Sequence, residues 1–363
     1  MNETNKTNDI TRKNTMSMNM KGNFINVLRE INREGTENLI NWLEQHRFFE
    51  VPASCKHHNN EQHGLLKHSL EVCNEALYLR KQFLKEESSQ AADLPKESVA
   101  IAALLHDVCK WNQFYISPYS DQPKCDKKAL TQGHGLKSVS IIEQCGYQLT
   151  DDEKQAIWWH MGCQHEPSYE GNEIVYNSQG QSALCQLIRQ ADYNSTHLKE
   201  TFEKLLDESG MGNVERMKRY LAESNFYQKG CASHHPYSTG LVAHSIGVCR
   251  HILELCDDSE RQDAMQCALL HDLADQNRSK QYGGHGYRSM MIAKERINIG
   301  ASEEVYNMIR FHKNSSRKRS DSEQALLDKT RQIPLFQKLC SSDHFDADHD
   351  ITDVLKHFRD EVF

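Results

Sequence analysis

LLHDVCK at 104–110 and LLHDLAD at 269–275 are the two stretches on which the fold turns. Outward from the first lie GLLKHS (64–69), GHGLKS (133–138), WWHMG (158–162) and QAD (190–192). Outward from the second lie GLVAHS (240–245), GHGYRS (284–289), RFHKN (310–314) and SSD (341–343). The order His68, His106-Asp107, His134, His160, Asp192 therefore recurs as His244, His271-Asp272, His285, His312, Asp343. Two independent copies of one order are hard to attribute to chance. The match extends upstream, where EGTENLINWLEQHRFFEVPASCKHH (34–58) parallels GNVERMKRYLAESNFYQKGCASHH (212–235). An internal duplication is the simplest account.

Between these motifs the pattern is helical. Val99, Ala102, Ala103 and His106 fall at i, i+3, i+4 and i+7, as do Ala264, Cys267, Ala268 and His271, so each histidine is expected on the buried face of its helix. Thr150 with Glu153 and Ser259 with Gln262 have the spacing of capping boxes. The seven prolines fall between or at the start of the proposed helices, and no strand pair or Asn-Gly hairpin signal stands out. The expected fold class is all-α, with a disordered segment over 1–20, a first bundle over 21–210 and a second over 211–363. A helical stretch around 196–209 is expected to join them, and insertions at 86–97 and 111–132 are confined to the first.

Composition narrows the function. Twelve cysteines occur without a Cys-x-x-Cys pair, and the chain opens on polar residues, which suits reduced thiols in a cytoplasmic protein. The longest apolar run, VAIAALL at 99–105, is far short of the roughly 20 residues that span a bilayer, so no membrane partner is expected. A net charge of −8 without a basic arm argues against long nucleic acid. Arg317-Lys318-Arg319 is a local cluster that reads first as a solvated loop and second as an anion contact.

Leu65 precedes His68 by three residues, while Ala156, Ile188, Met308 and Leu339 precede His160, Asp192, His312 and Asp343 by four. Each donor is thereby tied to an apolar stripe that aims it inward. A lone buried histidine is usually satisfied by a carbonyl. Six His and Asp groups at one point would instead leave charges unpaired unless a cation compensates. A thiolate-free His and carboxylate set suits Mn, Fe, Co, Ni or Zn over Ca. The GxG frames around His134 and His285 lack a preceding strand, so they are expected to permit close backbone approach and not to cradle a dinucleotide.

Both halves resemble HD-superfamily domains, whose order is His, His-Asp, intervening histidines and a final Asp on a bundle of about five helices. The HH…GLLxHS…LLHDxxK…GH arrangement is similar to that of YhaM-type bacterial 3′-5′ exoribonucleases and small HD hydrolases. The resemblance implies two tandem HD-domain bundles; an intramolecular pseudo-dimer is one arrangement open to them, and the oligomeric state is not set by the sequence. It implies that His68, His106, Asp107 and Asp192 hold one metal, with Asp107 bridging to a second held by His134 and His160. His244, His271, Asp272 and Asp343 map to the same roles, with Asp272, His285 and His312 around another ion. The implied cofactors are divalent ions (Mn, Fe, Co, Ni, Zn or Mg), one or two per domain, and the implied activity is phosphoester hydrolysis of a small phosphorylated substrate such as a nucleotide, cyclic nucleotide or short oligonucleotide.

Within that mapping Asp107, Lys110 and Asp272 carry the catalytic expectation. Lys110 follows Asp107 by three residues, as in HDxxK patterns, where a lysine lies beside the substrate phosphate; a helix-end lysine is the plain alternative. Asp275 stands at that spacing in the second half, so the first is expected to be the better catalyst. Met161 and Lys313 follow His160 and His312 where many dinuclear members have a second histidine. His165 is a candidate substitute, and His57-His58 and His234-His235 resemble the family's upstream pair. The competing functions are a mixed-valent di-iron oxygenase and a nucleotide sensor without turnover.

Overall fold

The computed structural model describes residues 3–56, 59–85, 94–120, 122–126, 128–129, 133–163, 172–180, 182–230, 239–274, 284–313, 319–348 and 354–359. The chain divides into two compact units, Met1–Thr196 with Ile351–Phe363, and His197–Asp350. His57-His58, His165, His234-His235, Asp275 and Arg317-Lys318 lie outside the described residues, as does 86–93 of the first expected insertion.

The first unit begins with α1 (Glu3–Ile31), so the segment 1–20 expected to lack order contributes most of a helix. Met20, Phe24, Val27 and Leu28 are buried at helical spacing, and Phe24 meets the edge of Phe49 with ring centroids 5.4 Å apart. The polar start of the sequence obscured this apolar stripe. Then follow α2 (Thr36–Gln45), α3 (Gly64–Lys85), α4 (Lys96–Leu105), α5 (His134–Gln144), α6 (Asp151–Trp159), α7 (Asn172–Gln179) and α8 (Ala183–Thr196). α3 packs between α4 and α8, and α6 lies against both. Residues 98–105 of α4 are buried on every side, as befits a helix apolar all round.

A short antiparallel hairpin, β1 (Phe114–Ile116) with β2 (Pro123–Cys125), departs from the strand-free expectation. It sits inside the insertion at 111–132. Three-residue strands are too short to show alternation, although Phe-Tyr-Ile before a turn is a β-prone run.

The second unit contains α9 (Leu198–Glu208), α10 (Val214–Glu223), α11 (Gly240–Leu255), α12 (Arg261–Leu270), α13 (Gly284–Met291), α14 (Glu303–Phe311), α15 (Asp321–Thr330) and α16 (Pro334–Asp348). The division at Thr196/His197 corrects the boundary drawn at 210/211. α9 is no mere connector: Phe202 and Leu206 are fully buried in this unit's core, and Phe202 packs on Phe226 at 5.3 Å and Tyr227 at 6.2 Å. It plays the part that Phe24 of α1 plays against Phe48 and Phe49. The final helix α17 (Val354–Arg359) returns to the first unit, burying Val354 and Phe358 and pairing Arg359 with Glu30.

Helix starts follow local chemistry. Thr150 and Glu153 form the expected capping box at α6, and the buried Glu153 carboxylate also takes a two-pronged Arg33 at 2.5 and 2.7 Å. The expected box at Ser259 and Gln262 is replaced by Asp257 with Glu260, because a 3-10 turn over Asp258–Glu260 precedes α12 and moves the start toward the N-terminus.

Candidate metal centres

His68 projects from α3, His106 and Asp107 from the C-terminal end of α4, His160 from the end of α6, and Asp192 from α8. His68, His106, Asp107 and His160 are buried, and Asp192 is nearly so. Histidine orientation is set by backbone. The Nδ1–H groups of His106 and His160 donate to the carbonyls of Ala103 and Ile157, both at 2.7 Å. A carbonyl can only accept, so Nδ1 carries the proton and Nε2 is presented to the centre, the arrangement metal-binding histidines require.

The presented atoms crowd together. His68 Nε2 lies 3.2 Å from His106 Nε2, 3.3 Å from Asp192 Oδ1 and 3.4 Å from Asp107 Oδ2. Asp107 turns its other oxygen toward His160, with Oδ1 3.6 Å from Nε2. Donors about 2.0–2.2 Å from one ion stand roughly 2.9–3.5 Å apart along the edges of its coordination polyhedron, so these spacings fit a shared cation. Asp107 Oδ1, His160 Nε2 and, in the second unit, Asp343 Oδ1 are buried atoms without a hydrogen-bond partner, a costly condition that a cation would relieve. The residues present therefore fit a divalent metal.

The second unit repeats the set from α11, α12, α14 and α16. His244 Nε2 is 3.1 Å from His271 Nε2 and 3.3 Å from Asp343 Oδ1. His271 and His312 donate from Nδ1 to the carbonyls of Ala268 and Ile309 at 2.6 and 2.8 Å. Asp272 Oδ1 lies 3.3 Å from both His285 Nε2 and His312 Nε2, which are 3.1 Å from each other. Asp272 Oδ2 stands farther from His244 and His271, at 4.0 and 3.8 Å. In each unit two donor sets thus meet at one histidine, His106 or His271: His68, His106 and Asp192 beside His106, Asp107 and His160, then His244, His271 and Asp343 beside His271, Asp272 and His312.

The two units differ at the intervening histidine. His285 joins its cluster, whereas His134 has Nδ1 3.3 Å from Gln113 Nε2 and 3.6 Å from Cys109 Sγ. Lys110 Nζ sits 2.5 Å from Asp107 Oδ2, mostly buried. Burial raises the Asp107 carboxyl, but Lys110 and His106 outweigh it and hold the group well below its ordinary range. Burial likewise opposes protonation of His68 and His244, yet the facing carboxylates, Asp107 and Asp192 for the first and Asp343 and Asp346 for the second, push them up to about 9 and about 10. Burial prevails at His271 and His285, which fall to about 4.

Both GxG frames have the expected use. Gly133 and Gly284 adopt φ of 71° and 79°, and a Cβ on Gly135 would lie 2.0 Å from the Trp158 carbonyl oxygen. A Cβ on Gly286 would lie 2.7 Å from the Arg310 oxygen. The serine closing each motif serves the His-Asp turn: Cys109 N–H donates to Ser138 Oγ at 3.1 Å and Ala274 N–H to Ser289 Oγ at 3.0 Å. Sequence reasoning missed these serines, together with Gln113 and Asp346, because only folding brings them to the donors.

A family model described as HD domain matches residues 241–348. Those residues form an HD domain. The match runs from α11 through α16, the helices that carry His244, His271, Asp272, His285, His312 and Asp343. HD domains are generally metal-dependent phosphohydrolases, so a metal-dependent hydrolase is the activity this HD domain suggests. No curated protein and no solved structure matches the chain. Among the described residues no helix is long and apolar enough to cross a membrane.

Proposed function

We propose that the chain is a metal-dependent phosphohydrolase built from two HD-type units, acting on a small phosphorylated substrate of the nucleotide, cyclic nucleotide or short oligonucleotide class. The observation that carries it is the pair of donor sets that share one buried histidine, His106 or His271, next to the buried aspartate of the same His-Asp step in each unit. His68, His106, Asp107 and Asp192 would hold one ion and Asp107 with His160 would contact a second; His244, His271, Asp272 and Asp343 would hold one, with Asp272, His285 and His312 around the other. His134 joins the first set if its contact with Gln113 yields. When bound, such ions polarise phosphoryl oxygens and supply a hydroxide-level nucleophile at neutral pH. The chain's part is to fix donor geometry through the i−3 carbonyls, to exclude water around the buried aspartate, and to set a cation beside it.

That cation is Lys110, which makes the first unit the better catalyst in this proposal. Opposing its burial, Asp107 raises its affinity for the proton, so it stays charged. Lys110→Ala is expected to lower turnover by roughly 10²-fold while leaving metal content unchanged, since a cation facing the phosphoryl group stabilises the transition state without ligating. Turnover number and elemental analysis of the same preparation check this, and full activity would reduce Lys110 to a helix-end residue.

A second expectation concerns protons. The raised His68 and His244 are charged at pH 7 in the metal-free protein, and ligation needs them neutral. Metal uptake at pH 7 should therefore release protons, and apparent Mn²⁺ affinity should rise with pH, by at most about tenfold per unit for each histidine, up to about pH 9. Titrations at pH 7 and 8 check the sign; an affinity that falls with pH would contradict it.

The proposal as a whole is tested by metal analysis of the purified protein followed by a phosphomonoester and phosphodiester panel with Mn, Fe, Co, Ni, Mg and Zn. Cleavage in one or more metals supports it. Oxygen consumption by an iron-loaded form without cleavage would favour a di-iron oxygenase, and tight nucleotide binding without turnover would favour a sensor.

A further inference from the structure

His244 differs from His271 and His312 in what holds its outer nitrogen. His271 and His312 rest on carbonyls of their own helices. His244 Nδ1 instead faces Asp346 Oδ2 at 2.6 Å, across the packing of α11 on α16. Room for that carboxylate comes from Gly247, one turn along α11: a Cβ there would lie 1.8 Å from Asp346 Oδ1. A turn further, the His251 ring stacks on Phe345 at 4.0 Å and its Nδ1 meets Ser342 Oγ at 2.9 Å, which locks the register of the two helices. Asp346 lies three residues after the donor Asp343, so one helix supplies both a donor and the support for another donor.

The first unit is built otherwise. Three residues after His68 stands Glu71 where the second unit has Gly247, and three after Asp192 stands Ser195 where it has Asp346. Glu71 is buried, accepts from Asn59 Nδ2 at 2.7 Å and lies 3.6 Å from Lys67 Nζ. The carboxylate is thus on the other helix of the pair.

We propose that Asp346 is a positioning residue for the second unit's centre, holding His244 with Nδ1 protonated and Nε2 aimed inward, and that Gly247 exists to admit it. The inference rests on the metal-binding reading of the donor set. A carboxylate behind a ligating histidine fixes its ring orientation and raises its basicity, and losing such a partner costs about 10–100-fold in metal affinity.

The test titrates Mn²⁺ alone into the full chain in an Asp107→Ala background, so that the second centre dominates. Asp346→Ala should weaken binding by about 10–100-fold, and Asp346→Asn, whose amide oxygen still accepts from Nδ1–H, by less. Gly247→Ala should weaken binding comparably, with little further loss when added to Asp346→Ala, because both act through one contact. In Zn²⁺-loaded protein the slowly exchanging His244 Nδ1–H resonance should persist in Asp346→Asn and vanish in Asp346→Ala, a signature that a purely structural role would not move. Gly247→Ala carries the comparison if Asp346→Ala does not fold. Unchanged Mn²⁺ affinity in Asp346→Ala, or in Gly247→Ala in its place, alongside loss of binding in Asp343→Ala, would overturn the positioning role alone. Unchanged affinity in Asp343→Ala as well would overturn the metal reading beneath it.

Discussion

Asp107→Ala is expected to strip metal from the first unit and to lower phosphohydrolase turnover by on the order of 10³-fold or more, which corresponds to about 4 kcal/mol of transition-state stabilisation. Both oxygens of this carboxylate are committed, Oδ2 to His68, His106 and Lys110 and Oδ1 toward His160. Its removal takes away the carboxylate that faces His68 on one side and His160 on the other, and leaves Lys110 buried without its counter-charge. Asp272→Ala should empty the second unit in the same way yet spare most of the turnover, because no lysine stands beside Asp272 at the Lys110 spacing. Metal stoichiometry and turnover of both variants, with circular dichroism as a folding control, decide the matter. If Asp272 proves essential and Asp107 dispensable, the assignment of catalysis to the first unit fails.

Gly135→Ala should be strongly destabilising for so conservative a change, costing roughly 3 kcal/mol or more as severe overpacking. Its added methyl would lie 2.0 Å from the Trp158 oxygen and 2.4 Å from the Ile157 oxygen. Backbone carbonyls cannot rotate aside as a long side chain can. The Ile157 oxygen is also the acceptor that orients His160, so helix separation would disturb a donor as well as the packing. Gly286→Ala meets the Ile309 oxygen at 2.8 Å and His312 Cε1 at 3.1 Å, a milder version of the same conflict, with about 1–3 kcal/mol expected. Denaturant unfolding measures both. A gain near 1 kcal/mol, the usual result of replacing a helix glycine by alanine, would show that close helix approach is not what these glycines serve.

The gathered donors were largely legible from sequence because helix periodicity ties each to an apolar neighbour. Ala103 and His106, or Ile188 and Asp192, could hardly be placed otherwise once Val99 and Leu184 face a core. Helix limits were less legible. The box at Asp257 displaced the one at Ser259 because a single 3-10 turn suffices to move a start by two residues, and both pairs carry suitable side chains. The N-terminal helix was hidden for a related reason: Met20, Phe24 and Leu28 form a stripe too sparse to stand out against polar surroundings.

What the order of residues determined on its own was the all-helical class, the recurrence of His, His-Asp, His, His and Asp, and the inward face of each donor, since these follow from 3.6-residue periodicity within single helices. Tertiary structure alone decided that α9 belongs to the second core and α17 to the first, because burial of Phe202 and Phe358 depends on partners far along the chain. It also decided that His285 meets Asp272 while His134 turns Nδ1 to Gln113, and that Asp346 stands behind His244. Such contacts depend on the angle and spacing of packed helices, which no local pattern encodes.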